Sequence, residues 1–186
     1  MARKVRPDGT VRDEEAAMIP DLFWIPGPWS GKLAVSSRPR GGDWLDDETA
    51  GWRDAGVDVV VSLLERDEAG QLGLEYESET VESRGLQFLS FPIPDRGVPE
   101  SIENFVTILN RITALLAGGK NVAVHCRQSV GHAGLVAAAS LMMFGVGMND
   151  AIEAVSHARG VRIPETSGQL EWLRHLASES LALASR

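Results

Sequence analysis

Runs of apolar and β-branched residues alternate along this chain with stretches whose apolar residues recur every three or four positions. The first pattern is typical of buried strands and the second of amphipathic helices. Strands are predicted over residues 22–25, 32–36, 57–64, 86–91 and 121–126. Helices are predicted over residues 44–55, 72–83, 99–117 and 131–144, with two more near the carboxyl end. This alternation predicts an α/β fold with a central, mostly parallel sheet of about five strands and helices on both faces.

Polar residues mark where helices should begin. Asp43, Asn149 and Thr166 each stand before a helical pattern, and we expect them to act as amino-terminal caps. The length of 186 residues, without a repeat or a clear linker, indicates one domain. We expect residues 1–18 to form a flexible arm and residues 19–186 to fold as a single domain.

Composition and charge narrow the classes of function. The formal net charge is −8, which disfavours nucleic acid and acidic membrane surfaces as partners. No stretch approaches the ~20 apolar residues of a membrane-spanning helix, and the first twenty residues lack the apolar region of a signal peptide. Cys126 is the one cysteine, so no internal disulfide can form, and we expect a reducing, cytoplasmic location.

The segment VAVHCRQSVGHAGLVAAA places Cys126 at the end of a buried strand and before a short loop and an apolar helix. In parallel sheets, ligands bind beyond the carboxyl ends of the strands. Successive loop N–H groups can form an anion-binding nest, and the helix amino terminus adds about half a positive charge. The same field favours a thiolate. These features leave open the alternative that Cys126 is a buried structural residue, since a lone cysteine usually is one.

The string HCRQSVGHAG resembles the signature loop of the cysteine-dependent protein phosphatases of the small dual-specificity and tyrosine-specific type. The pattern of that loop is His-Cys, five residues, Arg, then Ser or Thr, then Gly; His125, Cys126, Gly131 and Gly134 match the family loop. The resemblance implies that Cys126 is the nucleophile. It also implies a phosphate-binding set of Arg127, Gln128, Ser129, Val130, Gly131 and His132.

Two positions depart from the family pattern. His132 stands where the family has an arginine, whose planar fork holds two phosphoryl oxygens at once. Histidine offers one donor when neutral, and its charge is conditional because its reference pKa is about 6.5. Ala133 stands where the family usually has a hydroxyl that helps the cysteine sulfur leave. Both departures imply impaired activity.

Two further residues are implied by the resemblance. Asp95, in FPIPDRGVP, matches the family's general-acid loop, which lies about thirty residues before the cysteine and here follows a parallel strand. Gln169 resembles a glutamine that positions water for the second step. Each has a plainer alternative: Pro-Asp-x-Gly is ordinary turn chemistry, and Thr166-x-x-Gln169 is also a capping box.

Other polar residues are given structural interpretations. Arg127 and Arg96 could partly replace the missing fork, although solvated surface arginine is the simpler reading of each. Arg38 and Arg40, in SSRPRGGDWL, could also face the site, although Pro-Arg-Gly-Gly is first of all a turn. Further along the chain, His157 and His175 sit on helices without a ligand-like partner, so we predict no metal site and no cofactor.

The family resemblance implies a phosphoprotein phosphatase that forms a phosphocysteine intermediate on phosphotyrosine and, in a shallow pocket, on phosphoserine and phosphothreonine. Its partners would be phosphorylated proteins or peptides, with phosphate or another oxyanion in the loop. The main alternative is a pseudophosphatase that binds phosphorylated partners without efficient turnover. A sulfurtransferase-like loop would not explain Asp95, and a papain-like pair of Cys126 with His132 lacks an identifiable third group.

Overall fold

A computed structural model describes residues 21–184 of the chain, with side chains described through residue 178. The arm predicted over residues 1–18 lies outside the described residues. The strands are β1 (Leu22–Ile25), β2 (Lys32–Ser37), β3 (Val59–Ser62), β4 (Gln87–Ser90) and β5 (Asn121–Cys126). The α-helices are α1 (Leu45–Asp54), α2 (Arg66–Gln71), α3 (Glu77–Ser83), α4 (Ile102–Ala117), α5 (His132–Met143), α6 (Met148–Arg159) and α7 (Ser167–Ala184).

The strands form one five-stranded sheet in the order β1-β2-β5-β3-β4. Only the edge strand β1 runs antiparallel to its neighbour, and the other pairings are parallel. β5 is therefore the central strand, with Ser37 of β2 beside Cys126. This architecture confirms the predicted α/β fold with a mostly parallel sheet.

Both faces of β5 are buried. Val122, Val124 and Cys126 belong to the larger core, which α4, α5, α6 and α7 complete on one face of the sheet. Ala123 belongs to a smaller core on the other face, with Trp52 of α1 and Val81 of α3. A strand covered on both faces is a continuous apolar run, as the sequence predicted. None of the described helices is long and apolar enough to cross a membrane.

Three local predictions were wrong. Of the helix predicted over residues 72–83, only α3 is helical, because the chain turns over residues 72–76, where Gly73 has a φ of +69°; the short helix α2, which precedes this turn, was not predicted. Asp43 lies inside a short 3₁₀ turn (Gly42–Trp44) and does not cap α1. Asn149 lies inside α6, whose cap is Gly147. Thr166 was predicted correctly, since its Oγ1 accepts a hydrogen bond of 3.2 Å from the backbone N–H of Gln169.

Helix α5 is buried nearly all round and passes very close to the segment that follows α6. A Cβ atom at Gly134 would lie 2.6 Å from both Cδ1 and Cγ2 of Ile163, which is itself fully buried. Only a residue without a side chain fits there. The glycine thus sets how closely α5 can approach the loop that carries Ile163.

We expect Gly134→Ala to lower the free energy of unfolding by about 1–2 kcal/mol, because overpacking in a filled core outweighs the better helix propensity of alanine. Chemical denaturation measures this. Gly70→Ala is the matched control, since its Cβ would meet nothing within 4 Å, and it should be neutral or stabilising. A Gly134→Ala protein as stable as the parent would contradict the packing argument.

Candidate active site

Cys126 is the last residue of β5 and lies at the carboxyl edge of the sheet. Its side chain is 5% exposed, and its thiol is free. Residues 127–131, here called the Cys126 loop, connect it to His132, the first residue of α5. The amino terminus of a buried helix therefore faces the same edge of the sheet as the thiol. Backbone N–H groups at such a terminus have no partner within the helix and can bind an anion.

A cavity of about 340 Å³ opens above the thiol. It brings together most of the residues that the sequence assigned to a site, from Asp95 to His132. The residues lining it are Glu68, Asp95, Arg96, Cys126, Arg127, Gln128, Gly131, His132 and Glu165. Ser129 and Val130 do not line it: Ser129 is fully buried and Val130 is half-buried.

Asp95 reaches the cavity from residues 91–99, here called the Asp95 loop. The Gly97 backbone N–H donates to the Pro94 carbonyl over 2.8 Å, which closes a tight turn around Asp95. Arg96 in this turn has φ +56°, and Ser129 in the Cys126 loop has φ +58°. They are the two non-glycine residues with positive φ in the described part of the chain. Backbone strain of this kind concentrates at functional sites.

His132 is half-buried at the wall of the cavity. Burial lowers the pKa of its imidazole below the ordinary value of 6.5, against the opposing effects of a hydrogen bond with the Gly97 backbone and of the carboxylates of Asp95, Glu68 and Glu165. Its Nε2 is buried without a hydrogen-bond partner. The imidazole is therefore largely neutral near pH 7. Its contact with Gly97 joins the start of α5 to the Asp95 loop.

Gln169 is fully buried in the first turn of α7 and completes the capping box that was one of its two interpretations. Its Oε1 accepts from the backbone N–H of Glu165 over 3.1 Å and from that of Thr166 over 3.4 Å. Its Nε2 has no partner, and it would lie 2.9 Å from a Cβ placed on Gly131. The cap uses only the oxygen, so the amide nitrogen remains available beside the Cys126 loop.

Two of the arginines that the sequence suggested for the site form ion pairs with nearby glutamates. Nη1 of Arg127 lies 3.2 Å from Oε1 of Glu68. Nε of Arg40 lies 2.6 Å from Oε1 of Glu48, and neither Arg38 nor Arg40 lines the cavity. His157 and His175 are exposed on α6 and α7, away from it.

A buried polar pair lies behind Cys126, on the opposite face of the sheet. Nε2 of His125 is 2.8 Å from Oε1 of Glu77, and both side chains are almost fully buried. The two atoms are close but not aligned as a hydrogen bond. The Trp52 indole lies beside the imidazole, with ring centroids 5.7 Å apart. Removing one partner of such a pair leaves an uncompensated polar group in the core, which is costly.

Sequence reasoning missed Glu68, Glu77, Glu165 and Arg159. Glu68 lies on α2, which was not predicted, and Glu77 begins α3, which starts later than predicted, so their positions relative to the Cys126 loop could not be predicted. Arg159, the last residue of α6, donates from Nε to Oγ of Ser129 over 2.7 Å. No spacing in the sequence signals that contact, since 30 positions separate the two residues.

Solved structures with this fold include tyrosine-specific and dual-specificity phosphatases. Kinase associated phosphatase (KAP) aligns with a TM-score of 0.78 at 18% identity, over 86% of this chain and 95% of that chain. A variant of human DUSP28 gives a TM-score of 0.63 at 21% identity, over 86% of this chain and 97% of that chain. At these identities the likeness establishes the fold alone, which is that of the protein-tyrosine phosphatase class.

Sequence similarity then identifies the family. Tk-PTP, solved in its active form, is 32% identical over 87% of this chain and 99% of its own chain, with a TM-score of 0.70. The family model described as "Polymorphic toxin system, DSP-PTPase phosphatase" matches residues 34–146, and the chain belongs to this family. A protein of Invertebrate iridescent virus 6 named as a tyrosine phosphatase (197R) is 26% identical over 159 residues. The match covers 83% of this chain but 56% of the viral protein.

We expect His132 to make stability depend on pH in acid. A histidine whose pKa is lowered by folding contributes stability above its ordinary pKa of about 6.5 and loses that contribution as the pH falls through the folded value. The free energy of unfolding of the parent, minus that of His132→Asn, should therefore shrink between pH 7.5 and 5.5, as followed by urea denaturation at each pH. His157→Asn, at an exposed position, is the control. A parent-minus-variant difference that stays constant across this range would contradict the burial of His132.

Proposed function

We propose that this chain is a phosphoprotein phosphatase that acts on phosphotyrosine through Cys126, with impaired turnover. The observation that carries the proposal is that the Cys126 thiol, the Cys126 loop and the Asp95 carboxyl all line one cavity at the carboxyl edge of the sheet. A nucleophile, an anion cradle and a proton donor are the three parts that phosphomonoester hydrolysis needs. Membership of a DSP-PTPase phosphatase family supports the same reaction.

In the proposed first step, the Cys126 thiolate attacks phosphorus and forms a sulfur–phosphorus bond while the bond from phosphorus to the substrate oxygen breaks. Asp95 gives its proton to that oxygen, so the substrate leaves as an alcohol or phenol. In the second step, a water molecule attacks phosphorus and passes a proton to Asp95. The sulfur–phosphorus bond then breaks, which releases phosphate and restores both the thiolate and the acid.

The backbone N–H groups of the Cys126 loop are proposed to bind the three non-bridging phosphoryl oxygens, together with the amino terminus of α5. Arg127, Gln128 and Gly131 line the cavity directly, while Ser129 and Val130 contribute through the backbone. Gln169 is proposed to hold the attacking water, since its Nε2 is an unpaired donor beside Gly131. Gly131 is suited to this place because a Cβ there would also meet Oε2 of Glu165 at 2.9 Å.

His132 is proposed to occupy the position of the family's arginine and to limit the rate. A neutral imidazole provides one donor where a guanidinium provides a charged fork. The guanidinium of Arg127 does not replace the family's arginine, because it is paired with Glu68. Loss of one transition-state donor typically costs about 10²–10³-fold in rate. Ala133, which is fully buried, has no hydroxyl to assist departure of the sulfur, so the second step should be slow.

The substrates are proposed to be phosphorylated proteins or peptides, with phosphotyrosine favoured and phosphoserine or phosphothreonine also accessible. A cavity of about 340 Å³ can admit a phosphorylated ring. The thiolate chemistry requires a reducing environment, which supports the predicted cytoplasmic site of action. The family description also suggests that the activity serves a polymorphic toxin system.

The second candidate function is that of a pseudophosphatase, favoured by the lowered pKa of His132. The Cys126 loop would still bind a phosphorylated partner, but without a charged fork the barrier to chemistry would stay high. The two candidates differ in turnover and not in the site they use.

Hydrolysis of an aryl phosphate by the parent and by His132→Arg separates these candidates. We expect His132→Arg to raise kcat/KM by about 10²-fold or more, because it restores a bidentate, permanently charged partner for the phosphoryl oxygens. His175→Arg makes the same change at an exposed position and should alter kcat/KM little. Cys126→Ser should abolish turnover in either background.

Slow but Cys126-dependent turnover by the parent supports the enzyme. No detectable turnover by the parent, with phosphopeptide affinity that survives Cys126→Ser, supports the pseudophosphatase. If His132→Arg and the parent are both inactive and neither binds phosphopeptide, the proposed function is wrong.

A further inference from the structure

Arg159, the last residue of α6, holds two residues of the Cys126 loop. Its Nε donates to Oγ of Ser129 over 2.7 Å, and its Nη2 donates to the carbonyl oxygen of Gln128 over 3.3 Å. Its guanidinium also lies over the ring of Phe23, 4.1 Å from the ring centroid. The side chain is therefore fixed at three points, yet Arg159 is not among the residues that line the cavity.

Ser129 is the residue of the loop that most needs this support. Its φ of +58° is in the left-handed region, which disfavours every residue that has a Cβ. Its side chain is fully buried, so its hydroxyl requires a hydrogen-bond partner within the protein. Arg159 supplies that partner. A left-handed residue in a turn is also the backbone feature that directs successive N–H groups toward one point, as in an anion-binding nest.

The bond to Gln128 fixes the direction of one loop amide. In a planar trans peptide, the carbonyl oxygen of one residue and the N–H of the next point in opposite directions. Because Arg159 binds the Gln128 oxygen, the Ser129 N–H of the same peptide points away from the guanidinium, which itself does not line the cavity. We infer that Arg159 is a positioning residue of the oxyanion site: it holds the Cys126 loop in its anion-binding shape and orients the Ser129 amide. This inference rests on the proposed function of that loop.

Arg159 also places a permanent positive charge against the Cys126 loop. Among the basic side chains in the cavity wall, His132 is largely neutral and Arg127 is paired with Glu68, so the charge of Arg159 adds mainly to that of Arg96. A guanidinium that is half-buried and held against an aromatic ring is less screened by solvent than one at the surface. Arg159 would therefore contribute to the positive electrostatic potential at the anion without contacting the anion.

Protection of Cys126 from alkylation by iodoacetamide tests this inference with inorganic phosphate as the probe. The dissociation constant of phosphate follows from the phosphate concentration that halves the alkylation rate. Arg159→Met should weaken phosphate binding by about ten-fold or more, the range expected for lost charge-assisted hydrogen bonds. Arg162→Met, at an exposed position on the same segment, should change it by less than about two-fold.

Two further variants separate positioning from a general loss of stability. Arg159→Lys keeps the charge but cannot reach both acceptors with a planar fork, so it should restore part of the lost affinity. In a Ser129→Ala background, Arg159→Met should have a smaller effect than in the parent, because one of its two hydrogen bonds is already gone. Denaturation midpoints show which variants are folded at the assay temperature.

The outcomes are distinct. If phosphate protects the parent but Arg159→Met binds phosphate as tightly as Arg162→Met does, the inference is overturned while the proposed function stands. If phosphate does not protect Cys126 in the parent, the proposed oxyanion site fails and the inference fails with it. Full additivity of Ser129→Ala and Arg159→Met would also contradict it, since the two residues would then act independently.

Discussion

The tight passage from β5 through residues 127–131 into α5 is the constraint on which the rest of the structure depends. β5 is buried on both faces and α5 is buried nearly all round, so neither element can move to relieve the turn between them. The close packing leaves no room for a Cβ at Gly134, and a Cβ at Gly131 would press on the ends of the Gln169 and Glu165 side chains. Within the same turn, Ser129 takes a left-handed conformation. The two glycines that match the phosphatase signature are thus explained by steric contact with Ile163, Glu165 and Gln169.

The same constraint shapes the electrostatics of the cavity. Three carboxylates, those of Glu68, Asp95 and Glu165, face the place where a phosphate dianion would sit. Burial keeps His132 largely neutral, and Glu68 engages Arg127. Binding would therefore depend on groups that cannot lose their polarity: the loop N–H groups, the amino terminus of α5, and the guanidinium groups of Arg96 in the cavity wall and of Arg159 against the loop. Such a site can bind an oxyanion well and still stabilise the transition state poorly.

Much of the fold could be predicted because the elements that form the site have strong sequence patterns. β5 runs over the predicted residues 121–126, since a strand covered on both faces is an uninterrupted apolar run. Asp95 was placed at the correct edge because it follows a parallel strand. The short helix α2 was missed and the start of α3 was predicted too early, since neither helix is long enough to show a clear period. Arg159 and Glu77 could not be predicted, because their roles depend on tertiary contacts across 30 and 48 positions.

Rapid mixing with an aryl phosphate, followed by acid quenching and mass spectrometry of the Cys126 peptide, tests the central claim most directly. The account predicts that Cys126 gains the mass of one phosphoryl group, and that this species accumulates because Ala133 leaves the second step slow. Cys126→Ser provides the blank. Release of product without phosphoryl on Cys126, or a phosphoryl group on another residue, would contradict the account.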